Sequence, residues 1–318
     1  MRRILFYLLS LVFPTYLFSQ KQLHVVNNLK VTILSSMVAQ EGIGEWGFSA
    51  LIEVDNNKIL FDAGSRKTTV LENAKELNID LSKVPTLVLS HWHDDHTTGW
   101  LPLRNAMKII QQNAFSTTHV GKAFFDMRIN AKKDTLSRKQ DSSVYISTGG
   151  VIIEHTSFKE IFPGVYLTGN VPRVHTEKNY YTGTGLLNQN NAITEDNIPD
   201  DMSLIISTNQ GLVLISGCGH SGIVNNIEHI NKNLPNKSII AAIGGFHLLT
   251  SSDDQIKWTA ERIKNAGVKY FMGAHCTGIE AVYQIRSLAS LKRGECIVGS
   301  VGDTFDLQNG FINGDLTR

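Results

Sequence analysis

The sequence predicts an α/β protein built in layers, and three observations lead to this fold class. The first half contains predicted β-hairpins followed by strand–helix units, and the second half alternates strand and helix from residue 203 to residue 301. The chain has 318 residues, of which 42% are hydrophobic, so it can bury a large core. Histidines follow the ends of several predicted strands, which is where functional sites gather in layered α/β folds.

The first half is predicted to contain strands, a glycine-rich loop and one helix. Apolar residues at helical spacing predict a helix over residues 68–77. The loop at residues 41–47 carries Trp46, which we expect to be exposed. Runs rich in β-branched and leucine residues predict strands over residues 29–34, 48–54, 58–61 and 86–90.

The second half shows the regular alternation that is typical of layered α/β proteins. The predicted strands cover residues 151–154, 165–168, 203–207, 212–215, 238–243, 268–272 and 297–301. The predicted helices cover residues 223–234, 253–266 and 278–291. No short repeat and no linker divides the chain, so we expect a single domain over residues 21–318.

Two segments leave alternatives open. Residues 122–140 are charged and form either a helix or a mobile insertion. Residues 170–201 are rich in Asn, Thr and Gly and form either a functional loop or a disordered segment. Tyr180 and Tyr181 favour a loop that faces a substrate.

The first twenty residues have the features of an export signal. Arg2 and Arg3 precede a short apolar stretch, and small or polar residues follow it at Ser19 and Gln20. The stretch is short for a membrane-spanning helix and contains Pro14. We expect cleavage near Ser19 or Gln20, no stable membrane insertion afterwards, and a periplasmic or extracellular location. The alternative is an uncleaved membrane anchor.

Charge and cysteine content narrow the classes of partner. The net charge of +1 gives no electrostatic argument for binding nucleic acid or an anionic membrane, so we expect a small-molecule substrate. Three cysteines are too few for a disulfide framework. Cys218 and Cys276 each lie near a histidine, which favours a place beside a metal over a disulfide.

The run His91-Trp92-His93-Asp94-Asp95-His96 directly follows the predicted strand 86–90 and is the strongest functional signal in the chain. Residues two apart on extended backbone point to the same side, so His91 and His93 can converge on one ion. Asp95 and His96 follow where the chain turns and can point at a neighbouring position. Zinc and similar ions prefer such nitrogen and carboxylate ligands. The alternative is a polar loop with solvated histidines.

Three predicted strands of the second half also end in a glycine-rich turn with a histidine. Glycines allow a sharp turn and a close approach of backbone. Each histidine alone would more often be structural, but together with the first cluster they favour a metal or catalytic role. The three are His220, His247 and His275.

These four motifs together resemble the metallo-β-lactamase superfamily. The order Gly-Cys-Gly-His-Ser-Gly-Ile, Gly-Gly-Phe-His-Leu and His-Cys-Thr-Gly after the first cluster is similar to the branch named for dihydropterin-methyl-ribofuranosyl-aminobenzene-phosphate synthase. The resemblance covers roughly residues 30–307. It implies an αββα sandwich with a metal site at one edge, between the two sheets. It also implies a structural role for Asp62, which braces the histidine loop.

The chain departs from the superfamily pattern at one ligand. Many members have a separate histidine before the strand that ends in a bridging aspartate, and here Cys218 stands in that aspartate's place. The resemblance therefore implies His91, His93, Asp95 and His96 as metal ligands, with His220 supplying the missing nitrogen and Cys218 as a candidate ligand. His275 would complete the second position. His155 and His175 lie in the right interval but lack the glycine-rich setting.

The implied chemistry is hydrolysis at a pair of zinc ions, with manganese or iron less favoured. Two ions about 3.5–4 Å apart can share a water whose pKa falls to about 7, so that hydroxide attacks a carbonyl or phosphoryl centre. Asp95 would orient the nucleophile. His247 would be a ligand, a residue that positions a ligand, or the proton donor to the leaving group. We therefore predict that Asp95 and His247 are the catalytic residues.

Three further residues are predicted to bind substrate. Trp46 lies in the glycine-rich loop, and Ser221 begins a predicted helix whose free N–H groups form an anion site. Arg173 could hold a phosphate or carboxylate in a bidentate contact. The alternative for Arg173 is a surface salt bridge.

The leading hypothesis is thus an exported zinc-dependent hydrolase acting on a phosphoester, a lactone or a related ester. One alternative is a synthase that acts on a pterin-precursor phosphate, as the branch name says. A di-iron redox protein is disfavoured because redox members carry glutamate where this chain has His93. A protein that binds metal or ligand without turnover and a true β-lactamase are the remaining alternatives.

Overall fold

The structure is a computed structural model that describes residues 23–130, 132–177, 179–180, 183–187 and 192–317. The export signal predicted for residues 1–20 and the predicted substrate-facing Tyr181 lie outside the described residues. Among the described residues, no helix is long and apolar enough to span a membrane.

The strands are numbered in chain order. Those of the first half are β1 (Leu29–Ser35), β2 (Val38–Ala39), β3 (Ser49–Val54), β4 (Asn57–Phe61), β5 (Thr86–Val88), β6 (Thr117–Gly121), β7 (Arg128–Ile129), β8 (Thr135–Leu136), β9 (Val151–His155), β10 (Lys159–Phe162) and β11 (Val165–Leu167). Those of the second half are β12 (Gly185–Leu187), β13 (Ile193–Glu195), β14 (Leu204–Ser207), β15 (Leu212–Ser216), β16 (Ile239–Gly244), β17 (Tyr270–Gly273), β18 (Cys296–Val298), β19 (Ser300–Val301), β20 (Thr304–Asp306) and β21 (Gly310–Ile312).

The helices of the first half pack on one sheet and those of the second half on the other. They are α1 (Thr69–Glu76), α2 (Asp94–Thr97), α3 (Trp100–Ile110), α4 (Lys139–Ser147), α5 (Ile223–Asn233), α6 (Asp253–Asn265) and α7 (Ile279–Leu288). Short 3₁₀ turns cover Leu81–Lys83, His275–Thr277 and Asp315–Thr317.

Two sheets packed face to face form the centre of the fold. The first has the strand order β21-β20-β1-β3-β4-β5-β6-β9, and the second has the order β10-β11-β14-β15-β16-β17-β18. Phe61 and Val88 of the first sheet belong to the same buried cluster as Ile215 and Ile243 of the second. All four are fully buried, and each such side chain contributes about 1.5–3 kcal/mol to folding.

Helices cover the outer face of each sheet. Successive residues of a strand point to opposite faces, so Leu87 packs towards α3 and α4 while its neighbour Val88 packs between the sheets. On the other side, Ile230 of α5 and Ile263 of α6 pack on the outer face of the second sheet. The four layers form the αββα sandwich that the sequence motifs implied.

The strand directions bring the polar motifs to one edge of the sandwich. β4 and β5 run parallel in the first sheet, and β15, β16 and β17 run parallel in the second. The carboxyl ends of parallel neighbours lie at the same edge of a sheet. The residues that follow these five strands at that edge are Asp62, His91, Cys218, His247 and His275.

The structure differs from the sequence prediction in residues 122–140. This segment forms neither a long helix nor a detached insertion. Instead β7 and β8 pair with each other, and β12 and β13 extend them into a small four-stranded sheet. Helix α4 begins only at Lys139. Arg128 is buried at the base of this small sheet and donates to the carbonyls of Ala123, Phe124 and Asp126, which no local sequence pattern reveals.

The strand predicted over residues 297–301 is divided in two. β18 belongs to the second sheet, whereas β19 pairs with β2 in a separate two-stranded ribbon. Gly299 lies between them, where an added Cβ would come within 2.9 Å of the Ala274 side chain. The Gly299 amide still donates to the Gly273 carbonyl at 3.0 Å, so the pairing with β17 reaches Gly299 before the chain joins the ribbon.

Candidate metal centre

One set of donors consists of three imidazole nitrogens. His91 Nε2 lies 2.9 Å from His93 Nδ1 and 3.2 Å from His220 Nε2. His91 is fully buried and His220 is 1% exposed. Three nitrogen atoms this close can bind one ion together. The structure thus places His220 where a third nitrogen was expected.

A second set lies beside the first and combines a carboxylate with two imidazoles. Asp95 Oδ2 lies 3.2 Å from His275 Nε2, and Asp95 Oδ1 lies 3.9 Å from His96 Nε2. The ligand atoms of these three residues all lie within 4.8 Å of one another. Helix α2 begins at Asp94, so the chain turns after His93 and directs Asp95 and His96 at this second position.

Cys218 lies between the two sets. Its sulfur is 3.1 Å from His96 Nε2, and it lies within 4.8 Å of the ligand nitrogen of His91 and of those of His220 and His247. A second thiol is also present, because Cys276 Sγ lies 3.2 Å from Cys218 Sγ. Sequence reasoning placed Cys276 near the metal without giving it a role. Its signal was its position directly after His275.

The backbone at two strand ends adopts the left-handed conformation. His247 has a φ of 46° and His275 a φ of 47°, which are uncommon angles for residues with a side chain. Gly244, before His247, has a φ of 122°, and an added Cβ there would collide with the carbonyl oxygen of Ser216. These strained turns aim both imidazoles back over the sheet edge, and the surrounding core holds them in place.

Buried hydrogen bonds orient the ligand rings. Asp62 Oδ2 lies 2.7 Å from His96 Nδ1 and accepts from Ser90 Oγ at 2.8 Å, while Oδ1 accepts from the Ser90 amide at 2.7 Å. His220 Nδ1 donates to the carbonyl of Asn179. Each contact occupies the outer ring nitrogen, so the other nitrogen points to the centre. Asp62 therefore has the bracing role that the motif implied.

Burial keeps three of the rings neutral. It lowers the pKa of His91 and of His220 well below the usual value for histidine. It also lowers the pKa of His93 to about 4. A neutral imidazole keeps the lone pair that a metal ion needs, so these rings are ready to bind at neutral pH.

The second set carries more charge. Burial would lower the pKa of His96, but the nearby carboxylates of Asp62 and Asp95 outweigh it and raise that pKa to about 9. Burial would raise the pKa of Asp95, but His96 and His275 hold it well below its ordinary value. Asp95 is thus a carboxylate, and its negative charge favours a cation at this position.

The residues present fit a pair of metal ions. The Nδ1 atom of His275 has no hydrogen-bond partner among the described residues although the residue is 1% exposed, and its Nε2 lies 3.2 Å from Asp95 Oδ2 without the geometry of a hydrogen bond. A buried polar group without a partner destabilises a fold by about 1–3 kcal/mol, and an ion beside Asp95 would supply the missing contact. Imidazole, carboxylate and thiolate ligands together favour zinc over harder cations such as magnesium.

His247 lies at the margin of the first set. Its ring centroid is 4.6 Å from that of His220, and its ligand nitrogen lies within 4.8 Å of the ligand nitrogen of His220 and of Cys218 Sγ. It is close enough to the centre for each of the roles that the sequence left open.

Of the three predicted substrate-binding residues, Trp46 alone lies against the centre. Its ring centroid is 4.7 Å from that of His275. Arg173 donates to the carbonyl of Asn197, and its guanidinium lies 5.5 Å from the ring centroid of Tyr180. Arg173 thus contacts residues of its own segment of chain rather than the metal centre.

The helix N-terminus expected to bind an anion is filled by the chain's own carboxylates. Glu177 accepts from the amides of Val224 at 3.3 Å and Asn225 at 2.9 Å, at the start of α5. Asp201 accepts from the Ser221 amide at 2.8 Å. The free N–H groups expected at Ser221 are therefore already satisfied, because residues from the 170–201 segment fold over this end of the helix.

Comparisons with known proteins agree with this architecture. The family model described as the metallo-beta-lactamase superfamily matches residues 47–133. The 7,8-dihydropterin-6-methyl-4-(β-D-ribofuranosyl)-aminobenzene-5′-phosphate synthase of Methanocaldococcus jannaschii is 31% identical over 269 residues, which cover 80% of this chain and 90% of that protein. An uncharacterized protein of the same organism is 32% identical over 253 residues, covering 78% of this chain and 90% of that protein.

Solved structures give the same result. A metal-dependent hydrolase of the β-lactamase superfamily superposes with a TM-score of 0.70 and 26% identity, covering 89% of this chain and 99% of the other. The metallo-beta-lactamase fold protein YhfI from Bacillus subtilis superposes with a TM-score of 0.56 and 14% identity, covering 88% of this chain and all of the other, and this likeness concerns the fold alone. On its motifs, its αββα architecture and these relatives, the chain belongs to the metallo-β-lactamase superfamily.

Proposed function

We propose that the protein is a hydrolase that binds two zinc ions and cleaves a phosphoester, a lactone or a related ester. The observation that carries the proposal is the pair of donor sets, one of three imidazoles and one of Asp95, His96 and His275, with Cys218 between them. The related metal-dependent hydrolase of solved structure supports the proposal, because the match covers 99% of that hydrolase and 89% of this chain.

Zinc ions bound here would act as Lewis acids and lower the pKa of water to about 7. Asp95 would accept a hydrogen bond from the attacking water and orient it, since its carboxylate stays ionised. His247 would hold the proton that the leaving oxygen takes. The near-complete burial of His91, His96 and His275 excludes bulk water and strengthens each electrostatic contact with the substrate.

The test begins with metal content. Elemental mass spectrometry of the purified chain should find about two zinc ions per chain, and this preparation should hydrolyse members of a panel of phosphodiesters and lactones. His91→Ala and His96→Ala should each lose turnover by at least 100-fold. His24→Ala is the matched control, because His24 is an exposed histidine outside the donor sets and the cavity beside them.

Three outcomes would contradict the proposal. Unchanged turnover in both histidine variants would place the chemistry elsewhere. Iron with a visible absorption band would favour the redox alternative. Two bound zinc ions without turnover on any ester of the panel would favour a protein that only binds metal or ligand.

The second candidate function is a synthase. The observation that favours it is the 31% identity over 80% of this chain with the dihydropterin-type synthase of Methanocaldococcus jannaschii. Mass spectrometry should then detect the product in that protein's name when the zinc-loaded chain receives the corresponding precursors. Product formation that His91→Ala abolishes would support this candidate over hydrolysis.

We also propose that the chain is exported and cleaved near Ser19 or Gln20. The charged and then apolar character of residues 2–18 supports this. N-terminal sequencing of the protein from its native cell should begin near residue 20, in a periplasmic or extracellular fraction. A full-length N-terminus in the cytoplasmic fraction would contradict it and would weigh towards the synthase.

A further inference from the structure

A cavity of about 460 Å³ lies directly beside the metal centre. Two of the residues that line it, His93 and Asp95, belong to the metal centre. The rest of its wall comes from four segments, namely the loop before β3, the loop after β4, the histidine loop and residues 136–138. The lining residues outside the donor sets are Trp46, Ser65, Trp92, Asp94, Leu136, Ser137 and Arg138.

Trp46 stands at the mouth of this cavity with its indole 47% exposed. The backbone on both sides is held firmly. The neighbouring Glu45 is buried and accepts from Ser35 Oγ at 2.7 Å and from the Ser65 amide at 2.9 Å. On the other side, Gly47 packs so closely that an added Cβ would lie 2.7 Å from the Ser65 amide nitrogen. The exposed ring is therefore fixed in position beside His275, and it leaves one large apolar surface to be covered.

Leu136, at the end of β8, adds apolar surface to the cavity. It is 38% exposed. Trp92 adds a second indole, whose ring lies 4.7 Å from the Arg128 guanidinium. Arg128 is fully buried and locked by backbone carbonyls, so Trp92 is held in place from behind.

The positive charge on the wall is already paired with carboxylates. Arg138 is the one cation among the described residues that line the cavity. Its Nε donates to the Trp92 carbonyl at 3.1 Å, its Nη1 to Asp141 at 3.3 Å, and its Nη2 to Asp94. Two carboxylates thus offset a single guanidinium. A substrate anion has no unpaired cation to meet on this wall and would bind instead at the metal ions.

We propose that the substrate carries a flat, uncharged aromatic group directly beside the bond that is cleaved, and that this group lies against Trp46 in the cavity. The inference rests on the proposed hydrolytic function for the position of that bond. An aromatic group would cover the exposed indole by stacking, while the phosphoryl or carbonyl group reaches the donor sets. Trp46 is therefore the residue that determines specificity.

The test compares three phosphonates on the zinc-loaded full chain by isothermal titration calorimetry. Phenylphosphonate should bind about tenfold more tightly than methylphosphonate, and more tightly than cyclohexylphosphonate, because only the flat ring stacks on the indole. A phenylphosphonate with a carboxylate on its ring should bind more weakly than phenylphosphonate, since Asp94 and Asp141 repel it.

Variants of Trp46 make the test specific. Trp46→Ala should bring the affinity for phenylphosphonate close to that for methylphosphonate, which itself should not change. Trp46→Phe should retain part of the preference for the ring. Tyr283→Ala is the matched control, because it removes an aromatic ring that is 39% exposed and lies outside the cavity.

The outcomes separate this inference from the proposed function. Equal affinities for phenyl and methyl phosphonates, or a preference for the ring that survives in Trp46→Ala, would overturn the aromatic group while leaving ester hydrolysis intact. A preference for the ring that depends on Trp46 would support the inference even where no ester is hydrolysed. Tighter binding of the cyclohexyl than of the phenyl compound would assign the cavity to an aliphatic group and overturn the inference.

Discussion

Three aspartates surround the histidine loop in different environments, and the surroundings decide what each can do. Asp62 is fully buried and holds both Ser90 and His96. Asp95 is partly exposed and faces His275 across the second set. The Asp94 side chain is 84% exposed and pairs with Arg138 at the protein surface. Only the first two act on the metal centre.

Asp62→Asn should weaken metal binding without removing any ligand. The amide presents one acceptor instead of two, so the His96 ring loses its orientation and its electrostatic partner. We expect a 10–100-fold loss of affinity for the more weakly held ion, measured by competition with a zinc chelator. Asp94→Asn should bind as the wild type does. Equal affinities in the two variants would show that Asp62 does not orient His96.

Much of this residue-scale arrangement could be anticipated from local patterns. Histidines two apart after a strand point to the same side, and glycine-rich turns after parallel strands meet at one edge of a sheet. The sequence therefore predicts that His91, His93, His220 and His275 lie close together. For Trp46 the sequence offers only its place in a glycine-rich loop, from which substrate binding is predicted. The contacts of Arg173 with Asn197 depend on a long segment without periodicity, which no local pattern predicts.

At the scale of single elements, the N-terminus of α5 shows how a distant segment can occupy an expected site. The free amides at a helix start attract an anion. Here Glu177 supplies that anion from more than forty residues earlier in the chain. Burial raises the pKa of Glu177, although the amides of Asn225 and Val224 oppose this. The same segment of chain carries Asn179, whose carbonyl accepts a hydrogen bond from His220 Nδ1.

Glu177→Ala should lower the free energy of unfolding by about 1–2 kcal/mol, because two buried amides at the start of α5 lose their acceptor. Urea denaturation at neutral pH measures this. Glu228→Ala is the control, since Glu228 lies on the same helix with an exposed side chain. A loss that is no larger for Glu177→Ala than for this control would contradict the capping role.

The adjacent strands β6 and β9 carry a second pair of histidines outside the metal centre. His119 Nδ1 lies 2.8 Å from His155 Nε2, and both rings are less than a tenth exposed. Burial, and secondarily His155, lowers the pKa of His119 from 6.5 to about 4. The ring is therefore neutral in the folded chain over a pH range in which it is charged in the unfolded chain.

This pair predicts a loss of stability on acidification. A histidine whose pKa is depressed by folding stabilises the fold above pH 6.5, and that contribution disappears as the pH falls from 6.5 towards 4. The shift corresponds to on the order of 3 kcal/mol. His119→Gln should show a smaller fall in unfolding free energy over this range than the wild type. The exposed His24→Gln should match the wild type, and an unchanged slope in His119→Gln would contradict the argument.

Over the whole molecule, alternation of strand and helix was enough to predict the layered fold, since each buried strand and each amphipathic helix has a characteristic spacing of apolar residues. The small sheet of β7, β8, β12 and β13 could not be predicted. Its strands are two or three residues long, and a buried ion network joins it to the sandwich. Arg128 lies 2.6 Å from Asp200 and 3.4 Å from Asp196, and Asp200 accepts from the Trp92 amide at 2.7 Å.

Arg128→Met should destabilise the whole fold by about 3–5 kcal/mol, because it leaves buried carboxylates without their cation. Burial raises the pKa of Asp200 to about 7 even with Arg128 present. Adding Asp200→Asn to Arg128→Met should recover part of the loss, as measured by thermal or urea unfolding. A double variant less stable than the single one would show that the ion pair is not the source of the effect.

The contact between the two thiols predicts an order of assembly for the proposed metal centre. Cys218 Sγ and Cys276 Sγ are 3.2 Å apart, and a disulfide bond is about 2.05 Å long, so a small movement would join them. A bond between them would withdraw Cys218 from its place between the two donor sets. A chain treated with an oxidant such as glutathione disulfide before zinc is added should therefore lose two titratable thiols and should no longer bind its full complement of metal. A chain that is loaded with zinc first should keep its two thiols and its full complement of metal. If zinc fills the proposed centre, metal loading should therefore precede oxidation, because a bound ion would keep Cys218 from forming the disulfide.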